Sequence, residues 1–106
     1  MSKVAAIQMA SGPNIKANLD EAEKLINIAV QQDAELIVLP ENFAIMGMTD
    51  MDKVTAAEEA GNGPMQNFLA EQASKNGVWI VGGTIPIQSK EHGKVYAASL
   101  LYNSSG

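Results

Sequence analysis

The sequence predicts an α/β fold, and three features carry that prediction. Leu36–Leu39 is a continuous run of apolar residues, too short for most helices and typical of a strand buried on both faces of a sheet. Between residues 15 and 32, apolar side chains recur at helical spacing. A second helical segment begins at Pro64 and precedes another apolar run at Val78–Val81. Strands that alternate with helices indicate a largely parallel sheet.

The first half of the chain is expected to form a β-α-β unit. A first strand at Val4–Met9 is followed by turn residues at Ser11–Asn14, which can also cap a helix. The first helix presents an apolar stripe made of Leu19, Ala22, Ile26, Ala29 and Val30. Asp33–Glu35 is a short link to Leu36–Leu39, so the first two strands are predicted to be parallel neighbours.

The middle of the chain is expected to be a methionine-rich loop at Ala44–Asp52 and a short helix at Asp52–Ala60. A longer helix should begin at Pro64, because proline suits the first helical turn, where its missing N–H would have no partner. Gly77 is a suitable stop for that helix. Its predicted buried stripe consists of Met65, Phe68, Leu69, Gln72 and Ala73.

The last part of the chain is expected to form two strands. Val78–Val81 is a third buried strand that continues outward at Ile85–Ile87. Val95–Tyr102 should pair with it as a hairpin, across a polar turn. Trp79 lies within an apolar run and is therefore predicted to be a core residue.

Composition excludes several classes of function. The 106 residues allow one domain, 46% hydrophobic, with a net charge of −5 and no arginine, so binding to nucleic acid is not expected. No segment suits a signal peptide or a membrane span, so we expect a cytoplasmic protein that does not bind membranes. The chain has no cysteine and no residues at metal-ligand spacing, so we expect neither a metal nor a cofactor.

Glu41 is the main candidate for chemistry. Pro40 ends the Leu36–Leu39 strand because proline cannot donate to the sheet, and Glu41 follows directly. Open α/β sheets bind ligands beyond the carboxyl ends of their strands, where a carboxylate can act as a general base. The alternative is an ordinary acid on a loop. Asn42, Phe43 and Met46 are candidate substrate-binding residues, although Asn42 could simply satisfy the turn, and core packing is at least as good an explanation for Phe43 and Met46.

Leu39–Phe43 resembles the catalytic-glutamate motif of the nitrilase superfamily, the carbon–nitrogen hydrolases. Other segments resemble the family in the expected order along the whole chain: Val4–Met9, Asn18–Leu19, Gly63–Pro64, Trp79–Pro86 and Val95–Leu101. The Gly-Pro helix start and the Gly-Gly-Thr-Ile-Pro strand are most similar to the branch that includes deaminated-glutathione amidases. The resemblance implies that residues 1–106 are a single, incomplete domain, the amino-terminal part of a four-layer α-β-β-α sandwich.

The resemblance also implies an activity. In the family, a glutamate, a lysine and a cysteine hydrolyse a small non-peptide amide or a nitrile through a thioester, and Glu41 matches the glutamate. Neither the family's lysine nor its cysteine is matched in this chain, since Lys90 and Lys94 lie away from the motif position. We therefore predict that the 106 residues alone are inactive.

Three hypotheses remain at this stage. The chain is the amino-terminal fragment of an amidase, or it is a non-catalytic module that binds or regulates a partner chain. The third is an unrelated doubly wound ligand-binding domain. A half sandwich would expose sheet edges and an apolar face. We therefore expect it to form a homo-oligomer or to pair with a complementing carboxy-terminal segment.

Overall fold

The computed structural model describes residues 3–46, 55–90 and 94–106. Two helices within these ranges are α1 (Ile15–Gln31) and α2 (Pro64–Asn76). The strands within the same ranges are β1 (Val4–Ala6), β2 (Leu36–Leu39), β3 (Trp79–Gly82), β4 (Ile85–Gln88), β5 (Val95–Ala98) and β6 (Leu101–Tyr102). The predicted helix boundaries at Ile15, Pro64 and Asn76 are confirmed.

The main sheet has the strand order β1-β2-β3-β6, which places β2 between two neighbours. Strands β1, β2 and β3 are parallel, with Val4 opposite Leu36 and Leu36 opposite Trp79. The predicted parallel pairing of the first two strands is therefore confirmed. Strand β6 adds to β3 in the antiparallel direction, with Val81 opposite Leu101.

The predicted hairpin of the last strands is confirmed, but both of its strands are broken. Gly83 and Thr84 separate β3 from β4, while Ser99 and Leu100 separate β5 from β6. As a result, β6 pairs with β3 in the main sheet, and β4 and β5 pair in a second, two-stranded sheet. The prediction that Val95–Tyr102 forms one continuous strand is therefore wrong.

Both helices pack on one face of the main sheet. Ile37, Leu39 and Ile80 point towards the helices and are fully or almost fully buried, together with Ile26 of α1 and Leu69 of α2. The approach of α2 is close, because a Cβ on Gly82 would lie 2.5 Å from Leu69 Cδ1. The core therefore lies between the helices and this sheet face.

The other face of the main sheet is not covered by the described residues. We call it the open sheet face; it is formed by Val4, Leu36, Trp79, Val81 and Leu101. Trp79 is 46% exposed, so its predicted place in the core is wrong. The reason is the alternation of side chains along β3, which points Ile80 into the core and Trp79 to the opposite side. For the same reason β2 is buried on one face and only half-buried on the other.

The predicted helix at Asp52–Ala60 is confirmed at Thr55 and Ala56 and wrong from Glu58 onwards, while residues 52–54 lie outside the described residues. Thr55 and Ala56 are helical, but Glu58 and Glu59 form isolated β-bridges with Ile87 and Asn62. The segment thus adds to the edge of β4, because the Glu58 N–H donates to the Pro86 carbonyl oxygen at 3.1 Å. Helical periodicity is a local signal, and it carries no information about pairing between Glu58 and Ile87, which are nearly thirty positions apart.

Candidate active site at the end of strand β2

Glu41 lies in the turn that follows β2, at the carboxyl end of this strand. Its side chain is exposed. Beside the turn is a cleft of about 420 Å³, lined by Gln8, Met9, Ala10 and Pro40. The structure thus brings the segment after β1 and the turn after β2 together, as expected for neighbouring parallel strands.

Asn42 gives this turn its shape. It has a φ of +55°, a left-handed conformation that asparagine tolerates better than most residues. Its backbone N–H donates to Thr84 Oγ1 at 2.9 Å, and the Thr84 hydroxyl group lies 3.5 Å from Asn42 Oδ1. Asn42 therefore faces the break between β3 and β4 and, within the described residues, contacts protein on that side.

Gly83 allows the turn to come close to that break. Its φ is +41°, and a Cβ at this position would collide with the carbonyl oxygen of Pro40. Any larger residue would push the two backbone segments apart. The Gly-Gly-Thr segment that contributes to the family resemblance thus has a local role, because it accommodates the turn that carries Glu41.

The segment after Asn42 is held by the loop that follows β1. The Ser11 hydroxyl group donates to the Phe43 carbonyl oxygen at 2.6 Å, and the Met46 N–H donates to the Gly12 carbonyl oxygen at 2.9 Å. The buried side chain of Asn18 links helix α1 to both, because its Nδ2 donates to the carbonyl oxygens of Gly12 and Ala44. These bonds fix the path of the chain on the far side of Glu41.

The candidate substrate-binding residues lie in different environments. Phe43 is fully buried, and its ring centroid lies 6.4 Å from that of Phe68 on α2, so its observed contacts are core packing. Met46 is 46% exposed, and Asn42 is half-buried. Their contact with a substrate stays a prediction. Met48 and Met51, in the methionine-rich loop, lie outside the described residues.

Glu58 is a buried acid that the sequence analysis missed. Its carboxylate accepts hydrogen bonds from the backbone N–H groups of Met65 (2.6 Å) and Gln66 (3.1 Å) and from Gln66 Nε2 (3.0 Å). These groups belong to the first turn of α2, whose N-cap Gly63 has no side chain to accept them. Because Gly63 has no side chain, the first N–H groups of α2 need a hydrogen-bond acceptor from another residue. The Gly-Pro sequence was therefore the signal from which a nearby capping acid could have been predicted.

Among the described residues, Tyr102 on β6 has a side-chain pKa that lies clearly above its ordinary value. Burial raises the pKa of its hydroxyl group, and the negative charge of Glu58 raises this pKa further. Both causes disfavour the ionised form of this hydroxyl group.

Within residues 3–46, 55–90 and 94–106, no three histidine or acidic side chains are grouped so as to hold a metal ion. In the same residues, neither helix has the length and apolar character needed to cross a bilayer.

Residues 3–106 match the family model described as carbon–nitrogen hydrolase, and the chain therefore belongs to this family. The expected nitrilase-type resemblance is confirmed. A deaminated glutathione amidase of Synechocystis sp. is 41% identical over 105 residues, a match that covers 96% of this chain and 37% of the amidase. Omega-amidase NIT3 of Saccharomyces cerevisiae is 35% identical over 109 residues, covering 98% of this chain and 38% of that enzyme.

Solved structures of the superfamily share the fold. The structure of Saccharomyces cerevisiae Nit3, a member of branch 10 of the nitrilase superfamily, superposes with a TM-score of 0.86 at 30% identity. The match covers 99% of this chain and 41% of Nit3. The NitFhit protein of C. elegans, at 22% identity, gives a TM-score of 0.84. The prediction of a nitrilase-type α/β fold, of which this chain forms a part, is thus confirmed. The chain spans less than two fifths of the length of the two curated relatives described above.

Proposed function

We propose that this chain is the amino-terminal part of an amidase and that it supplies Glu41 as the general base. The observation that carries the proposal is the position of Glu41, at the carboxyl end of the central strand β2 and next to Pro40, which lines an open cleft. Membership of the carbon–nitrogen hydrolase family supports this role. The substrate would be a small non-peptide amide, in keeping with the names of the amidase relatives.

The proposed reaction follows from the chemistry of the family. Glu41 takes the proton of a cysteine thiol, the thiolate attacks the amide carbon, and Glu41 gives this proton to the leaving amine as the thioester forms. Glu41 then takes a proton from water, the hydroxide attacks the thioester, and Glu41 returns the proton to the departing cysteine sulfur as the carboxylic acid is released. A lysine ammonium group would stabilise the negative charge on the carbonyl oxygen during both steps.

Two parts of that machinery must come from additional chain. The 106 residues contain no cysteine, and we propose that they are inactive without a segment that supplies the nucleophile and the lysine. The exposed side chain of Glu41 supports this proposal, because the described residues leave one side of it open. Asn42 and Met46 lie near enough to Glu41 in sequence to contribute to the wall of the completed pocket.

The open sheet face supports the same proposal. Two sheets stabilise each other by packing face to face about 10 Å apart, with apolar side chains between them. The open sheet face offers such side chains in a cleft of about 470 Å³. We propose that a second sheet, supplied by a complementing carboxy-terminal segment, covers it.

A chimera tests the proposed function. The 106 residues would be joined to the unmatched remainder of the Synechocystis amidase, and ammonia release from small amides would be measured for the chimera and for its Glu41→Gln variant. We expect activity in the chimera and a loss of at least about a thousandfold in the variant, because Glu41 acts in both half-reactions.

Glu21→Gln, at an exposed position of α1, is the matched control and should leave the rate unchanged. A folded chimera that hydrolyses amides equally well with and without Glu41→Gln would overturn the assignment. The 106 residues alone should release no ammonia.

A second candidate function is a non-catalytic module that binds a partner chain. The observation that favours it is the coexistence of an apolar open sheet face with the lack of any cysteine in these residues. The partner would then be a complete hydrolase or a second copy of this chain. Stoichiometric binding to an intact amidase, with no hydrolysis gained, would support this function over the first.

A further inference from the structure

The turn that carries Glu41 has a backbone conformation that needs external support. Asn42 is left-handed, which costs a non-glycine residue free energy relative to ordinary backbone conformations. Glu41 itself is exposed, so packing of its own side chain does not orient it. The direction in which the Glu41 carboxylate leaves the sheet therefore depends on what holds the backbone on either side of it.

On one side, β2 and Pro40 hold the chain. Pro40 has a restricted φ, and its carbonyl oxygen packs against the backbone of Gly83. On the other side, the backbone N–H of Asn42 has one hydrogen-bond partner among the described residues, Thr84 Oγ1 at 2.9 Å. This bond is made by a side chain forty-two positions away and not by the turn itself.

Thr84 is in turn well anchored. The strand that follows it, β4, pairs with β5 on one edge and with the backbone of Glu58 on the other. Glu58 is buried and bonded to the first turn of α2. The hydroxyl group that meets Asn42 thus projects from a segment whose following strand is paired on both edges.

We propose that Thr84 is a positioning residue for Glu41. Its hydroxyl group holds the Asn42 backbone in the left-handed conformation, and this conformation sets the direction of the Glu41 side chain. The inference rests on the proposed function for its catalytic consequence, but the contact itself is independent of any activity. Threonine suits the task because its hydroxyl group accepts the N–H bond, whereas valine has the same shape without an acceptor.

The first test uses the 106-residue chain alone. Amide hydrogen exchange of Asn42 would be compared by NMR in the unaltered chain, in Thr84→Val and in Thr84→Ser. Exchange should become at least about fivefold faster in Thr84→Val, because the N–H loses its partner, and should return close to the original rate in Thr84→Ser. Equal Asn42 exchange in all three proteins, with the global fold intact, would overturn the proposal.

The second test uses the chimera with the Synechocystis remainder. Thr84→Val should lower kcat by about tenfold with little change in KM, since the substrate still binds while the base is poorly aimed. Thr84→Ser should restore most of kcat. Ser74→Ala, at an exposed position of α2, is a control for general effects of losing a hydroxyl group and should leave kcat unchanged.

The two tests separate failure of this inference from failure of the proposed function. If the chimera is inactive with every variant, the amidase proposal fails, while the exchange of Asn42 still decides whether Thr84 holds the turn. If the chimera is active and kcat does not respond to Thr84→Val, then Thr84 is not a positioning residue for Glu41.

Discussion

At the scale of single residues, the most consequential side chain outside the candidate site is Glu58. A buried carboxylate is normally costly, but three N–H donors and the positive end of the α2 dipole compensate it here. The backbone of Gly63 makes room for it, because a Cβ there would collide with the Glu58 carboxylate. Glu58 thus replaces the side-chain cap that glycine cannot provide.

We expect Glu58→Ala to lower the free energy of unfolding by about 2 kcal/mol, because it leaves the N–H groups of Met65 and Gln66 without an acceptor. Urea unfolding followed by circular dichroism measures this. Glu58→Gln keeps one acceptor oxygen and should lose less than Glu58→Ala. Glu59→Ala, at an exposed neighbour, should change the value by no more than about 0.5 kcal/mol. An equal loss in the Glu58→Ala and Glu59→Ala variants would contradict the capping role.

At the scale of elements, local patterns predicted α1, α2 and the parallel β-α-β unit, because periodicity and turn residues lie within the segment concerned. The predictions that failed concern residues whose structure depends on distant parts of the chain. Trp79 belongs to an apolar run, yet its exposure depends on whether anything covers the second face of β3. The predicted helix at Asp52–Ala60 gave way at Glu58 to pairing with β4.

The candidate site divides in the same way. Glu41 was predicted as a candidate from its position after a strand and a proline, which is a local signal. The contact between Asn42 and Thr84 was not found, because it joins residues forty-two positions apart. Glu58 was missed for a different reason: its donors lie only seven and eight positions away, but Glu58 falls within the predicted helix at Asp52–Ala60.

Strand β6 gives a prediction about pH. Burial and then the charge of Glu58 raise the pKa of Tyr102, so ionisation of this group is less favourable in the folded chain than in the unfolded chain. The unfolded chain therefore ionises first as pH rises above about 10, and the contribution of neutral Tyr102 to stability is lost as pH rises towards the folded-state pKa.

Tyr102→Phe removes this group. The free energy of unfolding of the unaltered chain should therefore fall relative to that of Tyr102→Phe between about pH 9 and about pH 11. Tyr96→Phe, at a tyrosine that is 63% exposed, is the control. Guanidinium unfolding at several pH values measures the difference, and parallel pH curves for the unaltered chain and Tyr102→Phe would refute the prediction.

At the scale of the whole molecule, the main feature is that the two faces of the main sheet differ. One face is packed against α1 and α2, while the open sheet face presents Trp79 and Leu101, which are 46% and 61% exposed. Burying apolar surface lowers the free energy by roughly 25 cal/mol for each Å² removed from water. A contiguous apolar face of this kind therefore favours association.

We expect the 106-residue chain to self-associate as its concentration rises, and Leu101→Lys to weaken that association by at least about fivefold, since a lysine ammonium group would be desolvated in the contact. Sedimentation velocity over a range of concentrations measures this. Ile28→Lys is the matched control, because Ile28 is 50% exposed but lies on α1, away from the open sheet face. If both variants weaken association equally, or if the unaltered chain stays monomeric, the open sheet face is not the contact.

Trp79 is the single tryptophan of the sequence, and its position on the open sheet face has a consequence for synthesis. Strands β1, β2, β3 and β6 pair within the first 102 residues, so this sheet can form while a ribosome is still translating whatever follows. In a protein as long as the relatives, translation at about 5–20 residues per second would leave the open sheet face exposed to solvent for on the order of ten seconds. The emission wavelength of the one indole ring would then report when the open sheet face becomes covered.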